Sequence, residues 1–356
     1  MTELLLGTKK GLIVLEGAPD AGAGFELRCR AFPGEPVDFA MRDPASGRVL
    51  ATVTSPFYGP KIWFADDPAG EWTQAEGVAL PEGSQEALER IWVIVAGDGG
   101  SLWAGGDPGV LFESRDGGQT WQLNAALRER RVDDDWQPGG GGLCLHSIVP
   151  WPGEPDKLSL AVSAAGVWHT DDHGETWRRG NQGIVPRYLP EDAREGATQL
   201  CVHRMERSPS KPERLFIQFH WGVYRSDDAG QSWTEIGAGL PSDFGFPIAL
   251  DPADPDSAYV IPLHGDFDRV VPDGNVRVYE TRDAGSSWTP RGEGLPDHEA
   301  YLTVLRRAFD RTGEGPQLQL YFGATSGDVF GSGDAGESWS TAATRLPPVF
   351  SVTASA

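Results

Sequence analysis

Five octets decide the fold of this chain: SRDGGQTW (Ser114 to Trp121), TDDHGETW (Thr170 to Trp177), SDDAGQSW (Ser226 to Trp233), TRDAGSSW (Thr281 to Trp288) and SGDAGESW (Ser332 to Trp339). They share the pattern Ser/Thr-x-Asp-x-Gly-x-Ser/Thr-Trp, and a sixth stretch, ADDPAGEW (Ala65 to Trp72), keeps only the Asp and Trp in register. The octet tryptophans recur roughly every 50 to 56 residues, the length of one four-stranded propeller blade with its loops. The roles expected inside an octet are local. Asp116, Asp172, Asp228, Asp283 and Asp334 can accept backbone N–H bonds across the turn, the Gly supplies a positive φ, and Trp121, Trp177, Trp233, Trp288 and Trp339 cover the space between neighbouring sheets.

Before the octets come an apolar run, a small turn and a second apolar run, as in LSLAVSAAGVWHT and LFIQFHWGVYRS, so that a hairpin delivers each octet. The first segment, Leu4 to Gly17, has the hairpin without an inner strand before it; the last, Leu346 to Ser355, reads as an inner strand with nothing after it. The two halves complete each other. The expectation is an all-β, seven-bladed propeller of four-stranded antiparallel blades over residues 1–356 as one domain, closed by C-terminal strand pairing onto the N-terminal hairpin, which removes exposed edges.

Composition agrees with short strands and dense turns: Gly 46 and Pro 28 against Met 3 argue against a helical bundle, and 13 Trp within 39% hydrophobic residues supply a substantial core. Lys+Arg 30 against Asp+Glu 52 gives a net charge of −22, which repels phosphate backbones and anionic membranes, so neither nucleic acid nor a membrane is an expected partner. Cys29, Cys144 and Cys201 are odd in number and widely spaced, suiting reduced thiols; with no signal-peptide pattern or bilayer-length apolar run, the expected location is cytoplasmic.

The octets resemble Asp-boxes, the bacterial neuraminidase repeats (BNR) of sialidases, sortilin-type receptors, xyloglucan-cleaving propellers and photosystem assembly factors. The resemblance covers nearly the whole chain and implies the propeller fold. It does not imply one activity, because the box recurs in enzymes and non-enzymes. The Phe/Tyr-Arg-Ile-Pro signature of sialidases is missing near the N-terminus, seven blades are inferred where sialidases have six, and neither Tyr188 nor Tyr301 has a Glu partner at a motif spacing.

Three long insertions should rise on the same face, opposite the boxes: Asn124 to Gly142, Asn181 to Gln199, and His264 to Asn275. Two of them lead into near copies, LCLHS (Leu143 to Ser147) and LCVHR (Leu200 to Arg204), which set His146 and His203 at equivalent positions of adjacent blades. His220 and His264 lie where second strands reach the same face. These four imidazoles, with Asp266 and Asp268 near, are candidates to bind a ligand or hold zinc or a similar transition metal; the alternative is that His146 and His203 are satisfied core residues. No HxH or HExxH spacing supports a metal, and no metal or cofactor is specified by a motif.

Arg204, Arg269, Trp136 and Tyr188 complete the candidate site, the arginines to hold an anion and the aromatics to stack on a sugar ring or seal the loops. Arg131 and Arg187 also lie in the insertions, but Arg128 to Asp135 (RERRVDDD) reads as a solvated, internally paired run on a short helix capped by Asn124. Cys144 and Cys201 share a strand face with the inner histidines and read as buried thiols, while His169 and His173 flank a box turn and should be solvated. The leading function is a small-molecule site, anionic or sugar-like, at the channel mouth near blades four to six, either ligand-binding or enzymatic. One alternative is a glycoside hydrolase using two carboxylates from Glu191, Asp192, Asp266 and Asp268. The other is a protein-interaction scaffold.

Overall fold

The computed structural model describes residues 1–19, 24–265 and 267–356. It forms seven four-stranded antiparallel sheets in chain order. We number the blades from the split one. Their inner strands are Val349–Ser355, Val37–Arg42, Arg90–Ala96, Cys144–Trp151, Val202–Arg207, Gly245–Leu250 and Phe309–Thr312. Blade 1 joins both chain ends: Val349–Ser355 pairs antiparallel with Thr2–Thr8 in the register Glu3↔Ser355, Leu5↔Thr353 and Gly7↔Ser351. The expected closure is therefore the observed one.

Sequence pattern follows position in the blade. Middle strands lie between neighbouring sheets and are apolar on both faces, as in the fully buried Leu215–Phe219. Outer strands meet solvent, and in four blades they shrink to two residues, as in the exposed Thr234–Glu235. Alternation of apolar and polar residues is accordingly weak inside a blade and lost at its rim.

The octets form the turns they predict. Asp228 accepts from the Ser226 hydroxyl at 2.8 Å, the Ser232 amide at 2.9 Å and the Ser232 hydroxyl at 2.5 Å, while Ser226 Oγ accepts from Gly230 N at 2.8 Å. Asp116, Asp172, Asp283 and Asp334 repeat the arrangement. In Asp172 the hydroxyls of Thr176 and Thr170 hold the carboxyl down to about 2. Each tryptophan then ties blades together or closes its own turn. Trp233 Nε1 donates to Gly180 O at 2.8 Å and Trp288 Nε1 to Ile236 O at 2.7 Å in preceding blades, whereas Trp121 and Trp339 bond Gly118 O and Gly336 O within their boxes. The glycine after an outer strand has a steric reason at this seam: at φ +88°, a Cβ on Gly183 would stand 2.2 Å from Trp233 O.

Candidate functional site

Six of the seven inner strands carry a β-bulge near their start, at Phe350, Asp38, Trp92, His146, His203 and Phe246–Pro247. A bulge adds an unpaired residue and re-aims its side chain. The chain direction puts all these positions at one end of the channel, the end of the long insertions. The register recurs while the residue varies, with phenylalanine at two blades, histidine at two, and aspartate and tryptophan at one each.

At this mouth Asp38, Arg90, Trp92, Leu305, Arg306 and Phe350, with Arg307, line a cavity of about 180 Å³. Arg90 Nε is 3.4 Å from Asp38 Oδ1 and its guanidinium lies 4.6 Å from the Trp92 ring centroid. Thr54 Oγ1 donates to the other Asp38 oxygen at 2.5 Å. Burial pushes the Asp38 carboxyl up, against the pull of Arg90 and Thr54. Arg306 stacks 4.7 Å from the Phe246 centroid and 5.8 Å from that of Trp92. Its Nε is shut off from solvent without a hydrogen-bond partner, and among the described residues the guanidinium has no ion pair. Burial lowers the Arg306 pKa, as do the charges of Arg269 and Arg90, while Cys201 and Cys144 oppose the shift. Arg269 lies 5.6 Å from the same Phe246 ring. Three guanidiniums thus share this mouth on aromatic supports.

The four histidines do not form one site. His146 is fully buried: Nε2 donates to Val202 O at 2.7 Å, with Ser163 Oγ at 3.2 Å, and Nδ1 meets Ser147 Oγ at 3.0 Å. Both ring nitrogens are used within the protein, as in a satisfied core residue. Burial, aided by Arg306, drives its pKa well down. His264 is exposed and joins no cluster of metal-ligating groups among the described residues. His203 and His220 do meet, Nε2 to Nδ1 at 3.3 Å, inside a wall of Phe244, Phe246 and Trp221. Tyr188 packs edge-on against His220 at 5.7 Å; its hydroxyl bonds Gln199 O and accepts from Cys201 N at 3.2 Å.

The other candidates separate. Arg204 is buried farther down the channel beside Glu206, to which it is paired, and near Arg307 and Asp310. Trp136 is buried, its ring 4.8 Å from that of Trp168. Asp266 lies outside the described residues. Arg187 pairs with Glu235. The helix Ala125–Asp133 forms with Asn124 Oδ1 accepting from Leu127 N at 2.7 Å, but its Arg131 is buried and reaches out of the run to Glu86. His169 and His173 are not simply solvated: His169 is buried between Ser159 and Gly230 O, with burial lowering it to about 4, and His173 pairs with Glu113.

Sequence reading missed Asp38, Arg90, Trp92, Arg306 and Phe350. The available signal was LRRAF (Leu305 to Phe309), two adjacent arginines just before the inner strand Phe309–Thr312. Its connection, Gly292 to Ala308, is a further long loop on the mouth face. A larger concavity of about 780 Å³ lies under the Asn181 to Gln199 insertion, lined by residues such as Arg179, Ile184 and Arg194, and shares none with the mouth cavity.

Comparison with known proteins agrees with the repeats. The model of the BNR/Asp-box repeat matches residues 112–123. The oligoxyloglucan-reducing end-specific xyloglucanase of Emericella nidulans is 25% identical over 65% of this chain and 28% of its own length. The photosystem II assembly lipoprotein Ycf48 of Synechococcus sp. (strain CC9902) is 26% identical over 40% of this chain and 35% of its own. The chain thus spans about a third or less of each of these curated relatives. A solved structure described as YCF48 bound to D1 peptide superposes with a TM-score of 0.54 at 14% identity, covering 90% of this chain and 84% of that one. By its repeats, blade count and closure, the chain is a seven-bladed propeller of the BNR/Asp-box type, similar to Ycf48 and to the xyloglucanases.

Proposed function

We propose that the channel mouth binds a small anionic molecule through a carboxylate or similar oxoanion. The observation that supports this is Arg306: a guanidinium set on Phe246 and Trp92, without hydrogen bond or ion pair among the described residues, in a chain of net charge −22. An arginine so held is desolvated and oriented in advance, and its fork suits a planar anion. Arg90 and Arg269 add to the field, and Phe350 and Trp92 offer apolar walls for the rest of the ligand. The site is thus centred on Arg306, reaching beyond blades four to six. Binding is favoured over two-carboxylate hydrolysis because, among the described residues, Asp38 is the single carboxylate lining the cavity, and it is engaged by Arg90 and Thr54.

A second reading, a protein partner seated on the same face, rests on surface apolarity. Phe57, Tyr58, Phe267 and Tyr301 are 84%, 80%, 98% and 69% exposed, and all four stand in loops of the mouth face. Ycf48, the similar propeller described with a bound D1 peptide, makes a peptide carboxylate one source of the anion worth testing.

Calorimetric titration with glucuronate, citrate, and a short peptide as free acid and as amide separates the cases. A carboxylate probe should bind wild type and bind Arg306→Gln about tenfold to a hundredfold more weakly, the worth of a charged hydrogen bond. Binding unchanged in Arg306→Gln, or no binding by any acid, overturns the anion site. Preference for the free-acid peptide, reduced by Phe267→Ser and Tyr301→Ser, selects the protein-partner reading.

A further inference from the structure

The two LC-x-H sequences end in opposite states. In blade 4 Cys144 Sγ donates to Gly141 O at 3.1 Å and both nitrogens of His146 bond the protein, so the pair is closed. In blade 5 the same pattern opens onto His220. His203 Nδ1 donates to Gly245 O at 2.6 Å, which leaves the Nε2 lone pair directed at His220 Nδ1, 3.3 Å away. The Cys201 sulfur joins them, the three potential ligand atoms lying within 4.8 Å of one another.

We propose that Cys201, His203 and His220 form a zinc-binding site on the mouth side of blade 5, with a fourth position left for water or an anion. The spacing is that of a coordination polyhedron: zinc–nitrogen bonds of about 2.0–2.1 Å at tetrahedral angles put two imidazole nitrogens about 3.3–3.4 Å apart, and a thiolate sulfur about 3.5–3.6 Å from each. The observed nitrogen separation already equals the first of these, and closing the sulfur onto the ion takes a turn of the half-buried Cys201 side chain away from Ser163, to which it is hydrogen-bonded.

The support around the ligands has the form metal sites use. The bond from His203 Nδ1 to Gly245 O fixes the tautomer and the ring orientation, so Nε2 is presented unprotonated. Tyr188 Oη holds the Cys201 amide, and Phe244, Phe246 and Trp221 enclose the imidazoles in a low-dielectric wall. Half-buried His220 can pass its proton from Nδ1 to Nε2 as it turns from hydrogen-bond donor to ligand. One thiolate with two imidazoles suits zinc, and it is unlike the oxygen sets that hold calcium or magnesium. The Arg306 guanidinium acts on His203 and Cys201 and opposes a divalent ion, so the two sites at the mouth respond oppositely to its loss.

The test uses the full chain stripped of metal and titrated with cobalt(II), then with zinc(II) against a chromophoric chelator. Wild type should take up one equivalent, with a thiolate-to-cobalt charge-transfer band in the near ultraviolet. Cys201→Ser should lose that band, and His220→Gln should weaken zinc at least about tenfold. Arg306→Gln should tighten zinc while losing the anion, so that failure of one site is distinguishable from failure of the other. Because His203 is buried and its replacement can unfold the blade, the outcome is read from the half-buried Cys201 and His220, each variant checked for wild-type thermal unfolding. Uptake below one equivalent, or uptake and spectrum unchanged in both variants, marks adventitious binding to surface carboxylates and overturns the proposal.

Discussion

The two faces of this propeller are built on the same blades and use repetition in opposite ways. On the box face, five turns repeat both backbone and residue: Asp, Gly, Ser/Thr and Trp return at each blade and bond mainly to one another. On the mouth face the backbone repeats while the residue varies, since the bulges present Phe350, Asp38, Trp92, His146, His203 and Phe246 in turn, four residue types over six blades. Identical residues at identical geometry mean that the geometry is the product, a folded blade. Different residues at identical geometry mean that the blade is a scaffold and the side chain is the product.

The closing strand breaks this comparison most severely, because it serves both faces. Deleting Val349 to Ala356 removes the partner of Thr2–Thr8 and exposes a buried sheet edge, so the expected outcome is aggregation or loss of cooperative unfolding. Phe350→Ala, on the same strand, should leave the fold and cost on the order of 1 kcal/mol by urea unfolding. A soluble, cooperatively folding deletion would show that closure matters less than the bulge it carries.

Trp233→Ala should cost about 3–5 kcal/mol in urea unfolding, through the cavity left between blades 4 and 5 and the lost bond to Gly180 O. The side chain is 5% exposed, so little of that cavity can be relieved by solvent. A cost like that of Phe350→Ala would remove the distinction between box and mouth residues.

This contrast explains how much of the molecule is legible in its sequence. The roles of Asp228 and Trp233 are readable because they depend on a local pattern that the chain states five times, and the blade count and closure follow from that period together with the two complementary halves at the chain ends. His203 and His220 can be placed in one sector, since strand ends on one face can be inferred from hairpin length. That His146, in an identical motif, turns inward to Val202 O cannot be read, because its partner belongs to the next blade and the choice is made by packing. Arg306 escapes sequence reading for a related reason. An arginine in a sequence reads as a solvated charge, and only the assembled channel shows it lying on Phe246 and Trp92. Burial of His169 is likewise set by a neighbour, the carbonyl of Gly230 across the seam.

His169 gives the finest test, because it is a titratable group committed to the fold rather than to the mouth. Arg207 donates to Ser159 Oγ at 2.8 Å, Ser159 Oγ lies 2.8 Å from His169 Nδ1, and His169 Nε2 donates to Gly230 O at 3.0 Å. Burial lowers Arg207 to about 10 yet leaves it cationic at neutral pH, so the serine hydroxyl accepts from the guanidinium and turns its own proton toward the imidazole. A second proton on His169 would meet a hydroxyl already committed as donor, in a site shielded from water; burial accordingly lowers its pKa to about 4. In the unfolded chain the same imidazole takes up a proton near pH 6.5. Unfolding therefore binds protons below that value, and the contribution of His169 is present in full above pH 6.5 and lost as pH falls toward 4, by about 1.4 kcal/mol per pH unit. His169→Gln removes the titration while retaining one amide to reach Gly230 O. Urea unfolding at pH 7.5 and 5.5 should show wild type losing about that much more per unit below pH 6.5 than the variant, within a steeper total to which neutral, buried His146 and His203 add with the same sign. Equal slopes in the two proteins would mean that His169 titrates alike folded and unfolded, and that it lies open to solvent beside its box after all.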